Sequence, residues 1–507
     1  MTRLVVLFLA LIGMSLAFQW QSHPTIIELS ARPYLYKLSR QTGRSITTLS
    51  QIPDSELDMF AASGIHAIYL MGVWSLGPFG LHRDQTDPDL IRGYAQVLPG
   101  YTTDDIIGSP FAITHFSCNS QLGSDADIGH LRDRLHARGI ALILDFVPNH
   151  TAVDADWMSS NPDYYVHAAP GVSPPYDPNR YMPSGIAYGR DPYSGAWPDT
   201  AQLNYWNPDL RTAQVNNLLK IATLADGVRC DMAMLELNSI FAQTWGGELR
   251  PSKYPAPTSE FWRDAIRAVK AKNPTFVFLA ETYWDGTVEA LHACGFDFLY
   301  DKDGLYNQLQ SGYLDNLRGY IANMNFTYMA HFVENHDEVR AIAGFGSPAR
   351  ADAAAAVAIT LPGMRFYFDG QWEGKKNKLD VHLRRSADEA VNVPVQQFYS
   401  KLLNITDAPV FHSGAWRYLT CSDFDGTSWR LMAWSWSMGS EKRLVVVNYS
   451  DTKGIARVRI PDVAGSGNVV IHELFSDETY TRSASEMRDS GLVVVLEAWQ
   501  TQIFSYP

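Results

Sequence analysis

Residues 227–234, GVRCDMAM, have the composition of a short buried strand, yet they include two ionisable side chains, Arg229 and Asp231. Residues two apart in a strand lie on the same face, so these side chains are expected to point the same way. Because an unpaired charge in a protein interior costs several kcal/mol, such residues need a partner or a function. The segment therefore predicts a buried ionic site at the end of this strand.

Three other apolar runs also end in ionisable side chains. They end in Asp145 with nearby His150, in Glu281, and in the group Glu334, His336 and Asp337. A strand that served stability alone would end in apolar or small residues. Four strands with polar ends therefore predict one shared polar site.

Several carboxylates around one cleft suit the cleavage of a glycosidic bond, which needs an ionised nucleophile and a protonated acid. Arg229 shares a face with Asp231, and a nearby positive charge favours the ionised form expected of a nucleophile. Aromatic residues near Glu281 in the sequence predict partial desolvation, which raises the pKa of a carboxyl and suits an acid/base. His150 and His336 can hydrogen-bond sugar hydroxyls.

Eight strand-like runs alternate with helix-like stretches over the first four fifths of the chain. They are residues 25–31, 65–74, 140–147, 226–232, 275–282, 296–301, 329–336 and 364–370. Nearly unbroken apolar strands suit a parallel sheet that is covered on both faces. Eight strand–helix units predict a (β/α)8 TIM barrel, whose active site forms at the carboxyl ends of the strands. A doubly wound open sheet is the alternative, but no glycine-rich fingerprint follows the first strand.

Two segments depart from this alternation. Residues 151–205 are rich in Pro, Asp, Tyr and Gly, which predicts a small inserted domain after the third strand. Residues 408–507 contain short strands separated by turn residues, which predicts a C-terminal antiparallel β-sandwich domain. The barrel is then expected to comprise residues 18–150 and 206–407.

The N-terminus and the overall charge indicate where the protein works. Arg3 precedes an apolar run over residues 4–17, which predicts a secretory signal over residues 1–17 and an extracellular or periplasmic protein. A buried first helix is the alternative, and the run is too short for a membrane anchor, which needs about 20 apolar residues. The net charge of −13, with no run of Lys or Arg, argues against nucleic acid or an anionic membrane as partner.

The strand-end segments resemble the sequence motifs of the α-amylase family, glycoside hydrolase family 13. The four matching segments, in the family's order, are DFVPNH (145–150), GVRCD (227–231), FLAE (278–281) and FVENHD (332–337). The resemblance implies action on α-glucans such as starch or maltooligosaccharides. It also implies double displacement with retention of the anomeric configuration, with the two reacting carboxyls about 5–5.5 Å apart.

The resemblance also assigns roles to individual residues. Asp231 is implied as the nucleophile, Glu281 as the general acid/base and Asp337 as the group that stabilises the transition state. The side chains implied to bind substrate are Arg229, His150, His336, Asp145 and Phe111.

Two departures from the family pattern bear on metal binding and on specificity. Met234 and Leu235 stand where many α-amylases have Lys-His. Gln202 stands where the family often has an aspartate that binds calcium, and Asn149 alone remains of the usual ligands. Because calcium needs six to eight oxygen ligands, the sequence predicts no metal for the chemistry and an incomplete set for a structural calcium.

Three alternatives remain open. A glucanotransferase, an α-glucosidase or a sucrose-acting enzyme of the same family would carry the same three carboxylates. A non-catalytic relative would have lost them, and this chain keeps them. A metal-dependent hydrolase would need ligand spacing such as HxxxH or CxxC, which the sequence lacks.

Overall fold

The computed structural model describes residues 18–507, so the predicted signal segment, residues 1–17, lies outside the described residues. Eight parallel strands close into a barrel, and each lies within one of the eight predicted apolar runs. The strands are β1 (Thr25–Ser30), β2 (Ala67–Met71), β3 (Ala141–Phe146), β4 (Gly227–Cys230), β5 (Val277–Ala280), β6 (Phe298–Tyr300), β7 (Met329–His331) and β8 (Met364–Phe368). Each strand pairs with the next in the chain, and β8 pairs with β1. The prediction of a TIM barrel is confirmed.

Side chains alternate between the inside of the barrel and the surrounding helices. Ile26, Tyr69, Ile143 and Leu279 belong to one buried cluster, which fills the barrel. Their strand neighbours of the opposite parity belong to the larger cluster, which packs against the helices. This alternation follows from the period of two in a strand. It carries an ionisable inward side chain, such as Arg229, into the interior of the barrel.

The helices of the barrel and its loops form the outer layer. They are Ala31–Thr42, Asp54–Ala62, Pro78–Thr86, Pro88–Val97, Asp125–His136, Pro208–Leu224, Asn238–Leu249, Phe261–Lys270, Thr287–Cys294, Asn307–Ser311, Leu314–Asn323, Ala341–Gly344, Pro348–Thr360, Val393–Thr406 and Pro409–Ser413. Their starts follow local chemistry. The helix Asp125–His136 begins after Ser124, whose backbone N–H donates to Asp127 Oδ2 at 2.9 Å in a capping box.

An inserted sheet lies between β3 and β4 in the chain. Its antiparallel strands are His150–Ala152, Tyr188–Gly189 and Trp197–Gln202, with the last in the centre. A short helix, Trp157–Ser160, interrupts this otherwise irregular segment. Because the sheet begins at His150, it rises directly from the carboxyl end of β3.

The C-terminal part is a β-sandwich, as predicted. Six strands form one sheet in the order Ala415–Leu419, Leu431–Met438, Glu441–Asn448, Thr501–Ser505, Asn468–Glu473 and Glu478–Ser483. Three strands form the other, in the order Cys421–Ser422, Gly454–Val458 and Leu492–Leu496. The helix Ala484–Asp489 was not predicted. Trp436 Nε1 donates to the carbonyl of Thr360 at 2.8 Å and joins the sandwich to the barrel.

All four cysteines, Cys118, Cys230, Cys294 and Cys421, are buried and none is in a disulfide. Within residues 18–507, no helix has the length and apolar character needed to cross a membrane.

Candidate active site

Strand register brings Asp231 and Glu281 to the same level of the barrel. Cys230 at the end of β4 pairs with Ala280 at the end of β5. Asp231 and Glu281 each follow directly, and the backbone N–H of Glu281 donates to the carbonyl of Cys230 at 3.0 Å. The two acids therefore leave neighbouring strands side by side at the carboxyl edge of the barrel.

Arg229 joins the two acids and explains why a positive charge is buried in β4. Its side chain is 0% exposed. Nη1 donates to Asp231 Oδ1 at 2.7 Å, and Nη2 donates to Glu281 Oε2 at 2.6 Å. Asp337 Oδ2 lies 4.0 Å from Nη2. The hydrogen bonds to two carboxyls, one on each side of the guanidinium, thus offset the free-energy cost of burying the charge of Arg229.

Glu281 is held in place by three donors. Besides Arg229, the backbone N–H of Met232 donates to its Oε2 at 2.7 Å, and the hydroxyl of Tyr283 donates to its Oε1 at 2.6 Å. Burial raises the pKa of Glu281 to about 7, against the attraction of Arg229. The carboxyl can therefore carry a proton near neutral pH, as a general acid must.

The pKa of Asp231 differs from the sequence prediction. Arg229 favours the ionised form of Asp231, as predicted, but burial outweighs this attraction and raises the pKa above its ordinary value. The prediction considered the neighbouring charge alone. Desolvation depends on how the barrel and the inserted sheet enclose the side chain, which the local sequence does not contain.

Asp337 belongs to a chain of ion pairs that ends inside the barrel. His336 Nε2 lies 3.1 Å from Asp337 Oδ2, and His336 Nδ1 lies 2.5 Å from Glu28 Oε1. Burial disfavours a charged imidazole, but Asp337 and Glu28 raise the pKa of His336 well above its ordinary value. Burial also disfavours an ionised Asp337, yet His336 and Arg229 lower its pKa below the ordinary value. Asp337 is therefore an oriented anion.

A cavity of about 440 Å³ opens above these groups. Its lining residues are Ser109, Phe111, His150, Trp197, Asp199, Thr200, Asp231, Met232, Glu281, Tyr283, His336, Asp337, Val381 and His382. All three predicted catalytic carboxylates line this cavity, together with His150, His336 and Phe111. The structure therefore brings together six of the eight predicted site residues around one space.

The other two predicted site residues lie beneath the cavity wall. Arg229 is fully buried and faces the cavity only through the carboxyls that it holds. Asp145 is also fully buried, where it accepts hydrogen bonds from the hydroxyl of Tyr69 and, at 2.6 Å, from the backbone N–H of Gly72. Both were predicted to bind substrate, and their positions suit supporting the site from below.

Phe111 and His150 both line the cavity. The ring of Phe111 lies 5.5 Å from that of His336, and Arg229 Cζ lies 5.6 Å from the Phe111 centroid. Burial lowers the pKa of His150 to about 4, so its imidazole is neutral and can both donate and accept hydrogen bonds. Its ring lies 5.4 Å from that of Trp197.

Several site residues were missed by the sequence prediction. Glu28 had a usable signal, since it is the single carboxylate within the apolar run 25–31, as Arg229 is the single cation in its own strand. Trp197 and Asp199 come from the inserted sheet, and His382 comes from the loop after β8. Those three lie in segments without a regular pattern, so only the tertiary fold places them.

Met232, which follows Asp231, has a left-handed backbone with φ of +43°. This conformation is strained for a residue other than glycine. Such strain persists only where the surrounding structure enforces it, and it is found most often at functional sites. Here the turn aims the Met232 N–H at Glu281, which links the two acids through the backbone as well as through Arg229.

The position implied for a structural calcium is occupied by an amide group. Gln202 Nε2 donates to Asn149 Oδ1 at 2.8 Å, to the carbonyl of Asn149 at 2.9 Å and to that of Leu203 at 3.1 Å. These oxygens are the kind that calcium binds, but here they converge on N–H donors. Among residues 18–507, no three His, Cys, Asp or Glu side chains are grouped to hold a metal ion. The donor set at Gln202 does not fit calcium.

The chain combines a closed eight-stranded barrel with an inserted sheet after β3 and a C-terminal sandwich. Acidic side chains follow β4, β5 and β7 and line one cavity. Together these features define a class of barrel enzymes. A family model described as "Alpha amylase, catalytic domain" matches residues 111–294. Over these residues the chain is similar to the catalytic domain of the α-amylase family.

Individual relatives show how distant the similarity is. Alpha-amylase MalA of Haloarcula japonica is 27% identical over 404 residues, which are 73% of this chain and 54% of the relative. Alpha-amylase 3 of Dictyoglomus thermophilum is 25% identical over 390 residues, which are 72% of this chain and 67% of the relative. This chain thus spans about half of the first relative and two thirds of the second.

The solved structure of the noncanonic maltogenic alpha-amylase AmyB from Thermotoga neapolitana has the same fold. It superposes with a TM-score of 0.67 at 19% identity, covering 96% of this chain and 99% of that one.

Proposed function

We propose that this protein is a retaining glycoside hydrolase that cleaves α-glucosidic bonds in starch-like α-glucans or maltooligosaccharides. The observation that carries the proposal is Arg229, which holds Asp231 and Glu281 on its two amino groups at the mouth of the barrel. A nucleophile and an acid/base must flank one sugar at a short, fixed separation for retention, and a shared guanidinium provides such a separation.

The reaction then has two displacements. The Asp231 carboxylate attacks the anomeric carbon while Glu281 gives its proton to the leaving oxygen, which produces a covalent glycosyl-enzyme and a shortened glucan. Glu281, now ionised, takes a proton from water, whose oxygen attacks the same carbon from the other face and releases Asp231. Two inversions restore the α-anomer. Asp337 is a fixed anion that can bind sugar hydroxyls as positive charge develops on the ring.

A substrate panel tests this function. Purified protein is incubated with starch, maltooligosaccharides, pullulan and sucrose, and products are separated by chromatography while the first-formed anomer is read by proton NMR. We expect shortened glucans released as the α-anomer. Longer products would indicate a glucanotransferase, and turnover of sucrose alone would indicate a sucrose-acting enzyme. No turnover of any of the four, or release of the β-anomer, would contradict the proposal.

The pH profile of kcat/KM should reflect the protonation of Glu281 in the free enzyme. Because the acid must carry its proton, we expect kcat/KM to fall as the pH rises through about 7. The hydrogen bond from Tyr283 stabilises the ionised form and lowers the pKa, so Tyr283→Phe should move this decline to higher pH. We would measure kcat/KM for both proteins from about pH 4 to about pH 10, which spans the ordinary pKa values of carboxyl and phenol groups.

Tyr181→Phe is the matched control for Tyr283→Phe. The hydroxyl of Tyr181 donates to Glu248 Oε1 at 2.9 Å outside the cavity, so its removal should leave the decline in place. If Tyr283→Phe moved the decline to lower pH or left it unchanged, Glu281 would not be the acid.

We also propose that the enzyme needs no structural calcium at Asn149, because the Gln202 amide already satisfies the oxygens there. A calcium ion present at about 1,000 times its Kd stabilises a fold by about 4 kcal/mol. We expect excess EDTA to change Tm by less than about 1 °C, whereas removal of such an ion would lower it by about 4 °C in a chain of this length. A large fall that added calcium reverses would contradict this proposal.

We further propose that the protein is secreted and that residues 1–17 are removed. The support is the basic Arg3 followed by the apolar run over residues 4–17. N-terminal sequencing of protein recovered outside the cytoplasm should begin at or near Phe18. Recovery of the intact N-terminus from the cytoplasm would contradict the proposal.

A further inference from the structure

A second cavity, of about 320 Å³, lies between the helix Ala31–Thr42 and the loop after β8. Its volume is within the range of pockets that hold small molecules, about 300–1,000 Å³. The wall is rich in positive charge, although the net charge of the chain is −13. The cations that line the cavity are Lys37, Arg40, Arg340, Lys375, Arg384 and Arg385. Such a concentration of positive charge favours an anionic ligand.

Two acids also line this cationic cavity, and each is paired with a cation of its own. Lys37 Nζ lies 2.6 Å from Asp369 Oδ1 and 3.7 Å from Glu373 Oε1. Arg40 Nη1 lies 3.0 Å from Asp388 Oδ1. Lys37 and Arg40 therefore offset the acids of the wall, and the other four cations determine the sign of its charge.

Arg384 and Arg385 share a single carboxylate, Asp105, which is buried and does not line the cavity. Arg384 Nε donates to Asp105 Oδ1 at 3.0 Å, and Arg385 Nε donates to the same oxygen at 2.8 Å. The guanidinium of Arg384 also lies over the ring of Tyr36, with Cζ 4.9 Å from the centroid. Its two amino groups make no hydrogen bond within the described part of the chain. Arg384 therefore keeps donors that a ligand can use.

Arg340 and Lys375 both pack against Gly370. The backbone of Gly370 has φ of +92°, and a Cβ at this position would lie 2.9 Å from Lys375 Cδ and 3.1 Å from Arg340 Nη2. Arg340 is buried, and its Nη1 donates to Glu334 Oε1 at 2.7 Å. Among residues 18–507, Arg340 Nη2 has no hydrogen-bond partner, and Lys375 Nζ has neither a hydrogen bond nor an ion pair. Two cationic groups with free donors therefore lie beside a position without a side chain.

We propose that the cationic cavity binds a phosphate group, either as the free inorganic ion or as an ester on a sugar. The planar fork of an arginine matches two phosphate oxygens, and a lysine adds a compact positive charge. Arg340 follows β7, whereas Lys375 and Arg384 follow β8. The loops after the seventh and eighth strands are where TIM barrels frequently hold phosphate.

The phosphate site is separate from the catalytic cavity. The two cavities share no lining residue, and the loop after β8 runs between them. Leu379 lines the cationic cavity, whereas Val381 and His382 line the catalytic one. A phosphate ligand can therefore bind without displacing a substrate, and the site does not depend on the function proposed above.

Calorimetric titration of the full protein with inorganic phosphate and with glucose 6-phosphate tests the site, with chloride balancing the ionic strength. We expect both to bind at a single site. Equal Kd values would identify the free ion as the sufficient ligand, and tighter binding of the ester would identify a phosphorylated sugar. Lys375→Met and Arg384→Met should each raise both Kd values about tenfold, because each removes a charged donor. Lys375→Arg should restore most of the affinity.

Lys376→Met is the matched control. It removes the same charge from the neighbouring residue, which is exposed and does not line the cavity, so both Kd values should be unchanged. Absence of binding by both phosphates, or an equal loss of affinity in Lys375→Met and Lys376→Met, would overturn the phosphate site. Either result would leave the proposed glycoside hydrolase in place, because the substrate panel tests that function separately.

Discussion

Asp231→Asn should lower kcat on maltooligosaccharides by about 10⁴-fold or more, the scale of loss when a covalent nucleophile is removed. The amide oxygen can still accept the hydrogen bond from Arg229 Nη1, so the variant should keep the fold. The amide cannot form the ester with the anomeric carbon that double displacement requires. Steady-state rates, with circular dichroism to confirm folding, measure the effect.

Asp226→Asn is the matched control because it makes the same change at the other end of the same strand segment. Asp226 is buried and paired with Arg132 at 2.7 Å, just before β4 begins. Its substitution should lower the free energy of unfolding by about 2 kcal/mol and leave kcat of the folded protein unchanged. Near-normal turnover in Asp231→Asn would remove Asp231 as the nucleophile.

Glu281→Gln should separate substrates by whether their leaving group needs a proton. The glutamine oxygen can still accept from Arg229 and from the Met232 N–H, so the local structure should persist. Cleavage of maltohexaose should fall by about 10²–10⁴-fold, the usual contribution of general acid catalysis. With α-maltosyl fluoride, the first equivalent of fluoride should be released rapidly and turnover should then stall, because water lacks its general base.

Glu248→Gln is the corresponding control. Glu248 Oε1 also accepts from an arginine and a tyrosine, Arg180 at 2.6 Å and Tyr181 at 2.9 Å, but it lies outside the cavity. This variant should turn over both substrates at wild-type rates. If Glu281→Gln slowed both substrates equally from the first turnover, or slowed neither, Glu281 would not be the acid/base.

All eight barrel strands could be located from the sequence because strands buried on both faces are nearly unbroken apolar runs. Their exact ends could not. The run 329–336 contains a strand of only three residues, Met329–His331, because the chain leaves the sheet after His331 and continues into the active site. Strands of the sandwich such as Glu478–Ser483 were missed, since they are mostly exposed and polar and carry no apolar signal.

The site could be predicted where its residues end barrel strands, because strand ends in a barrel converge whatever their separation in sequence. Asp231, Glu281 and Asp337 meet for this reason. The sequence did not show how deeply these side chains are buried or which of them form ion pairs. The sequence showed Arg229 beside Asp231, but not that Arg229 also holds Glu281, nor that desolvation prevails at Asp231.

The proposed mechanism requires that Asp231 forms a covalent bond to the sugar while Glu281 donates and accepts the proton. Its most direct test is to treat the Glu281→Gln variant with α-maltosyl fluoride, stop the reaction in acid, digest the protein and map the peptides by mass spectrometry. We expect one maltosyl unit attached at Asp231. A maltosyl unit on any other residue, or fluoride release with no modified peptide, would contradict it.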